Sequence, residues 1–338
     1  MVTSTTTRTE LLRIAASQAL LAPSVHNTQP WRFVLSADYL EIRADRSRRL
    51  RVLDPLGRQL VISCGCALFN ARVALASRGY EAVVERFPDP GQPDLLARIS
   101  LPAESSQQVE IGALDRYIIS RQTNRRRYRD EPVPAEVTRK LIESASAEQA
   151  MLFPVRSSND RLTVAMLTQE AERLENADPA YRAELRAWTG DSSDRRDGVP
   201  GMAVPHVTGE SHDDIPIRDF DTRGSGSLPA ETRSSLDQCL FVLGTVADDE
   251  PSWLRAGEAL ERAWLEATRL GYVASLFTQP VEIAAVRVRL RLELQLGIWP
   301  QLLLRIGKAP VTAASRRRGL RDVLTDTSAD KVAGDAAG

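Results

Sequence analysis

At 338 residues with 43% apolar residues, the chain is long enough for one large unit or two intimate halves and too apolar for global disorder. A net charge of −1 excludes a surface that binds polyanions throughout, and the three cysteines, Cys64, Cys66 and Cys239, make no disulfide framework or zinc spacing. No basic region followed by an apolar core opens the chain, and no membrane span is evident, so the expected setting is the cytoplasm.

Thr9 to Leu21 reads as a helix, with Leu12, Ala15, Ala16 and Ala19 on one face. After a loop over Ser24–Pro30, Trp31–Leu35 and Tyr39–Ala44 read as strands around the turn Ser36-Ala37-Asp38. Arg58 to Gly79 is a long helix, its apolar residues three and four apart and Gly79 at its C-terminal cap. Tyr80–Phe87 and Leu95–Leu101 follow as strands, and Val109–Ile119 as a helix running into an arginine-rich loop. Pro134 starts a helix to Ser146, then come a strand at Met151–Arg156 and helices at Asp160–Asn176 and Pro179–Trp188. Thr189 to Glu231 is rich in Gly, Asp, Ser and Pro and lacks periodicity, the mark of a functional lid or a disordered linker. Beyond it the pattern predicts a strand at Leu236–Val246, helices at Gly257–Leu270 and Val281–Leu292, and a strand at Gln301–Ile306. A small, polar tail follows Thr325.

The two halves echo each other. Ala67, Leu68, Ala71, Gly79, Tyr80 and Ala82 recur at a constant offset as Ala259, Leu260, Ala263, Gly271, Tyr272 and Ala274. Leu95-Leu96-Ala97-Arg98-Ile99 is likewise paralleled by Leu302-Leu303-Leu304-Arg305-Ile306. Two long repeats are too few for a solenoid, so the expectation is a fused pseudo-dimer.

Two motifs carry chemistry. The run Ala22-Pro23-Ser24-Val25-His26-Asn27-Thr28-Gln29-Pro30-Trp31-Arg32-Phe33 sets short polar side chains in a Pro-bounded loop ahead of an apolar strand. Ser24, Asn27 and Gln29 are suited to hydrogen-bond a planar heterocycle rich in carbonyls and ring nitrogens. The second motif is Ser120-Arg121-Gln122-Thr123-Asn124-Arg125-Arg126-Arg127-Tyr128, where guanidinium forks and a hydroxyl suit a phosphate. Together these strings resemble the FMN-dependent nitroreductase family, and most closely its actinobacterial Acg-type branch.

That resemblance implies an α+β nitroreductase-like fold of two fused, diverged halves, with mixed, mostly antiparallel sheets and flanking helices. The first half, 1–119, carries the flavin-ring loop with Pro23, Ser24, Val25, His26, Asn27 and Gln29. The second, 120–324, carries the phosphate loop with Arg121, Thr123, Asn124 and Arg125, and 325–338 is a flexible tail. Arg316 and Arg317, beyond the last strand, match the basic residues with which the family closes over the phosphate. Ser275 and Thr278 occupy the place where the family covers the pyrimidine side of the ring, without its usual glycines. Complementary losses in the two halves leave one FMN per chain at their seam. His26 either touches flavin or substrate or packs the loop, and Met202, His206 and Phe220 are candidates to line a cover.

Two functional classes follow from the resemblance. One is an NADH- or NADPH-dependent reductase of nitro or quinone compounds; the other is a protein that stores or sequesters FMN beneath a lid. Neither needs a dedicated acid or base, because the flavin carries the hydride chemistry. Fusion makes a monomer workable, with further dimerisation open. The basic clusters at Arg46–Arg51, Arg125–Arg129 and Arg316–Arg321 lack interleaved aromatics, so no nucleic-acid partner is expected. Gly224-Ser225-Gly226-Ser227 neither follows a strand nor opens a helix, which removes a Rossmann reading.

Overall fold

A computed structural model describes residues 7–105, 109–190, 195–204, 218–220 and 239–328. The first half contributes α1 (Arg8–Ala19), β1 (Trp31–Leu35), β2 (Tyr39–Ala44), α2 (Arg58–Ala76), β3 (Val83–Arg86) and β4 (Leu95–Ser100). Then come α3 (Ala135–Ser146), β5 (Met151–Val155), α4 (Ser158–Ala177), α5 (Pro179–Ala187), β6 (Cys239–Thr245), α6 (Glu250–Arg269) and β7 (Val273–Phe277). The chain closes with α7 (Gln279–Glu282), α8 (Ala284–Glu293), β8 (Trp299–Gly307) and β9 (Leu324–Asp326).

Internal duplication is written into the topology. One sheet runs β3-β4-β2-β1-β9 and the other, read from its far edge, β7-β8-β6-β5. Each strand pairs antiparallel with its neighbour in both orders, apart from the added β9. A β-bulge interrupts β2 against β4 and, equivalently, β6 against β8.

The halves meet where α2 crosses α6. The offset that relates the repeats carries Gly65 onto Gly257 and Ile62 onto Leu254, and these four residues form the crossing. A Cβ on Gly65 would stand 2.1 Å from the Leu254 carbonyl, and one on Gly257 would stand 2.0 Å from that of Ile62. Only glycine permits helix axes this close, and the reciprocal contact marks a local two-fold. By length and hydropathy α2 is apolar enough to span a membrane, yet it is buried in a core shared by both halves.

Four expectations need correction. Glu110–Tyr117 forms 3-10 turns rather than an α-helix, with Gly112 wedged against the end of α2, where a Cβ would come within 2.7 Å of Ala76. The helix expected at Val281–Leu292 is split at Ile283, because Arg58 Nη2 takes the Val281 carbonyl at 2.7 Å and removes it from a helical ladder. α6 begins at Glu250, well before Gly257, because the Asp249 side chain accepts the Ser252 N–H and starts the helix there. The tail does not begin at 325: Leu324–Asp326 lies parallel to β1, and Asp326 pairs with Arg13 at 2.6 Å. Three residues are too few to show an alternating pattern, so β9 was invisible to periodicity.

Between β5 and β6 the second half carries an insertion holding α4 and α5, where the first half has only the turn joining β1 to β2. The insertion crosses to the first half. Tyr181, Leu185, Val199, Val204 and Phe220 pack on Leu50 and Leu53 in a separate apolar cluster. Its carboxylate Glu184 accepts the N–H groups of Arg51 at 2.6 Å and Leu53 at 2.9 Å.

Candidate cofactor site at the seam

The loop after α1 has an unusual backbone. His26, Asn27 and Gln29 have φ of 45°, 54° and 50°, a left-handed region that costs a non-glycine residue of order 1–3 kcal/mol. Tertiary hydrogen bonds hold it there. Ser24 Oγ accepts from Gln29 N–H at 2.9 Å, and Ser63 Oγ of α2 accepts from Val25 N–H at 3.1 Å. Asn27 Nδ2 donates to the carbonyls of Gly198 and Arg316, at 2.9 and 3.1 Å, and its Oδ1 accepts from Arg317 at 3.0 Å. Gln29 donates to Arg196 O at 2.9 Å and accepts from Arg318 N–H at 2.8 Å. Asn27 and Gln29 thus tie the insertion and the C-terminal segment to this loop.

The arginine-rich loop is laid beside β7, where Asn124 N–H donates to Ala274 O at 2.9 Å. The Asn124 side chain fastens the loop, donating to Pro310 O at 2.8 Å and accepting from Arg126 N–H at 3.0 Å. Arg121 is buried, 3.2 Å from Glu261 on α6, and its guanidinium lies 4.8 Å from the Trp264 ring. Arg125 stands 4.7 Å from the Phe220 ring and has no carboxylate partner among the described residues.

Two connected chambers open between these loops. The larger spans about 710 Å³ of space between protein atoms, part of it open to solvent, and is walled by Pro23 to His26, Thr123, Arg125, Thr278, residues of α2 and Phe220. The smaller, about 390 Å³, takes in Asn27, Arg121, Ser315 and Arg317 and shares Pro23, Ser24, His26, Thr123 and Arg125 with the first. Most residues singled out from sequence therefore converge, although Pro23–Asn27, Arg121–Arg125, Thr278 and Arg317 come from four separate stretches of chain.

Five do not line either chamber. Gln29 and Asn124 act as the ties described, and Ser275 is buried with its hydroxyl 3.3 Å from Arg305 Nε. The Arg316 side chain is exposed and only its carbonyl reaches Asn27. Of the cover residues, Phe220 lines the larger chamber and Met202 is exposed away from it, while His206 lies outside the described residues.

Sequence reasoning missed the α2 wall, Gln59, Ile62, Ser63 and Cys66, and also Arg218. Gln59 and Ser63 are polar residues one turn apart in a buried apolar helix, which was the available signal. Arg218 is anchored by Glu282 at 2.5 Å and by Tyr181, and gives a hydrogen bond to Thr278 Oγ1 at 3.1 Å.

The site is electropositive and under-compensated. Burial, with Arg218 close by, pushes the Arg125 guanidinium down to about 10; burial, with Arg121 close by, pushes Arg317 down to about 9. Burial also raises the Glu261 carboxyl to about 7 against the opposing pull of Arg121. His26 packs edge-on against Phe220 at 5.2 Å with both ring nitrogens buried and unpaired. Burial and the charges of Arg218 and Arg125 hold it well below its ordinary value, so it is neutral. Arg121 Nε and Nη1 and Arg317 Nε are likewise buried without hydrogen-bond partners. Three guanidinium groups against one carboxylate suit a dianion such as a phosphate monoester, and the apolar chamber beside them suits a planar ring. Among the described residues no cluster of His, Cys, Asp or Glu is placed to hold a metal.

The duplicated counterpart of this cleft is closed. The repeat offset sets Arg255 and Glu258 in place of Ser63 and Cys66, and Arg86 in place of Thr278. Glu258 accepts from Arg72 at 2.7 Å and from both Arg86 Nε and Nη2, at 2.8 and 2.7 Å. Glu148, which follows α3 as the strained loop follows α1, accepts from Arg72 at 2.6 Å and Arg262 at 2.8 Å.

No family model matches the chain. It is 37% identical over 309 residues to a Mycobacterium tuberculosis protein named "Putative NAD(P)H nitroreductase Rv3131", an alignment covering 90% of this chain and 87% of that one. With "Putative NAD(P)H nitroreductase acg" of the same organism it shares 31% identity over 304 residues, covering 89% and 90% of the two chains. Among solved structures, a nitroreductase with bound FMN from Desulfitobacterium hafniense matches 63% of this chain and 96% of its own, at 13% identity and a TM-score of 0.41. Near-full-length identity to the mycobacterial proteins means that this chain belongs to the Acg-type nitroreductase family.

Proposed function

We propose that the chain is a flavoprotein that holds one FMN in the seam between its halves. The observation that carries this reading is the charge of the smaller chamber, which Arg121, Arg125 and Arg317 line with no carboxylate among the described residues there, Glu261 standing behind Arg121, next to an apolar chamber. Arg121, Thr123, Arg125 and Arg317 would hold the phosphate, and the Pro23–His26 backbone with Ser63 and Thr278 would border the ring. When bound, FMN supplies two-electron chemistry, taking hydride from NADH or NADPH and passing electrons to nitro or quinone compounds. The chain contributes binding, orientation and water exclusion. Neutral His26 and Phe220 shield part of the larger chamber from solvent, and Arg218 keeps Thr278 in place. The names of the mycobacterial relatives support the reductase reading. With the family's second half already fused, one chain would suffice as a monomer.

A second reading has its own support. The insertion is stitched over the seam by the Arg48–Asp197 ion pair, the reciprocal Asn27–Gly198 bonds and the Glu184 contacts to residues 51–53. Such a fastened cover favours a protein that retains FMN and excludes large reductants. Stopped-flow absorbance of the FMN-loaded protein with NADH or NADPH under anaerobic conditions separates the two. Fast bleaching of the oxidised band is expected of a reductase. Bleaching by dithionite alone would assign an FMN store, and a protein that takes up no FMN would overturn both.

A further inference from the structure

We infer that Glu261 is the positioning residue of this site, orienting Arg121 toward the phosphate of FMN and, through Asn70, tying that arginine to the strained loop. The inference rests on the FMN reading above and concerns a residue that lines neither chamber.

The Arg121 guanidinium is held by one ion pair, one hydrogen bond and one aromatic face. Nε lies 3.2 Å from Glu261 Oε1, and Nη2 donates to Leu21 O at 3.1 Å. Its face rests 4.8 Å from Trp264, one helical turn beyond Glu261 on α6. Nη1 is left buried without a partner, in a side chain that lines the smaller chamber. A group held this way binds an anion without first losing conformational freedom.

Glu261 is itself held from the opposite half. With its amide turned so that both ends are satisfied, Asn70 of α2 donates to Glu261 Oε1 at 3.0 Å and accepts from Ala22 N–H at 3.3 Å. Leu21 O, the next carbonyl along, also accepts from Arg317 at 3.4 Å. One buried carboxylate thus links α6, α2, the start of the strained loop and two phosphate-facing arginines. The closed counterpart has no such device: the repeat offset places Phe69 where Glu261 stands and Arg72 where Trp264 stands.

The test compares FMN with riboflavin, which lacks the phosphate, by fluorescence-quenching titration of flavin-free protein. Glu261→Gln is expected to weaken FMN about tenfold or more, as loss of a group that orients a binding side chain typically does. Riboflavin affinity is expected to stay unchanged. In an Arg121→Ala background the same substitution is expected to have no further effect on FMN, because its route is gone. Asn70→Ala, which leaves the carboxylate in place, is expected to give a smaller loss with the same selectivity, and it serves if Glu261→Gln does not fold. Equal loss of both flavins, tighter FMN binding, or an effect that adds to Arg121→Ala would overturn the inference and leave the FMN reading standing. Wild-type protein that binds neither flavin would overturn both.

Discussion

The two clefts generated by the duplication began as equivalents and now treat charge in opposite ways. In the closed one, Arg72 is buried but shared by Glu258 and Glu148, whose attraction outweighs the cost of burial and holds it above its ordinary value. In the open one, Arg125 and Arg317 are held below theirs, because burial and the neighbouring cations Arg218 and Arg121 outweigh the pull of Glu261 on Arg317. A buried charge that the protein leaves uncompensated is costly, and it is retained where a ligand completes it. The difference between a sealed seam and a binding site here lies in a few side chains: Glu258, Arg86 and Arg255 against Cys66, Thr278 and Ser63. The backbones of the two sheets run in the same order.

That contrast can be broken from either side. The largest effect is expected from Glu258→Ala, which strands Arg86 and leaves Arg72 with Glu148 alone beside a buried void. Urea denaturation should show a loss of about 3–5 kcal/mol with FMN stoichiometry unchanged, and a loss below about 1 kcal/mol would mean that this network does not close the cleft. Arg125→Ala should behave in reverse. Stability of the flavin-free protein is expected to hold or rise, because an uncompensated buried charge is removed, while FMN affinity falls about 10–100-fold, as expected for a charge-assisted contact. An unchanged FMN affinity would remove Arg125 from the phosphate site.

The subtlest signal is the pH dependence of the flavin-free protein. Glu261 keeps its proton up to about 7 when folded, under burial and against Arg121, Asn70 and Arg317, whereas an unfolded glutamate loses it near 4.5. The folded state therefore binds more protons in that window, and stability falls as pH rises from about 5 to about 7. Neutral His26 gives the opposite slope below its ordinary value, so the readout is the difference between wild type and Glu261→Gln. Parallel pH profiles for the two proteins would refute the shift.

Much of this architecture was legible in the chain. The repeat of Gly-Tyr-capped helices and the paired strands predicted two halves, and β1, β2 and β5 lie within a residue of their expected limits. These elements carry their own periodicity or turn chemistry, so local patterning suffices. The candidate site was legible as two motifs, because loops that bind must concentrate polar and cationic side chains in a short run. Side-chain direction was not. Gln29 and Asn124 sit in the right loops but serve as ties, and the wall supplied by Gln59, Ser63 and Cys66 belongs to a helix that reads as core.

By itself the sequence determined the duplication and the residue chemistry of the two loops, since each is set by local spacing and residue type; the α+β class and the meeting of the loops were implied by the resemblance those loops carry. Tertiary structure decided the rest. Two glycines let α2 and α6 touch, a three-residue strand crossed to the other sheet, and the insertion seated Phe220 and Arg218 against a loop of the first half. Which of two equivalent clefts stays open depends on where buried charges find partners. Those partners lie far apart in sequence, Arg72 with Glu258 and Arg121 with Glu261, so only the folded chain brings them together.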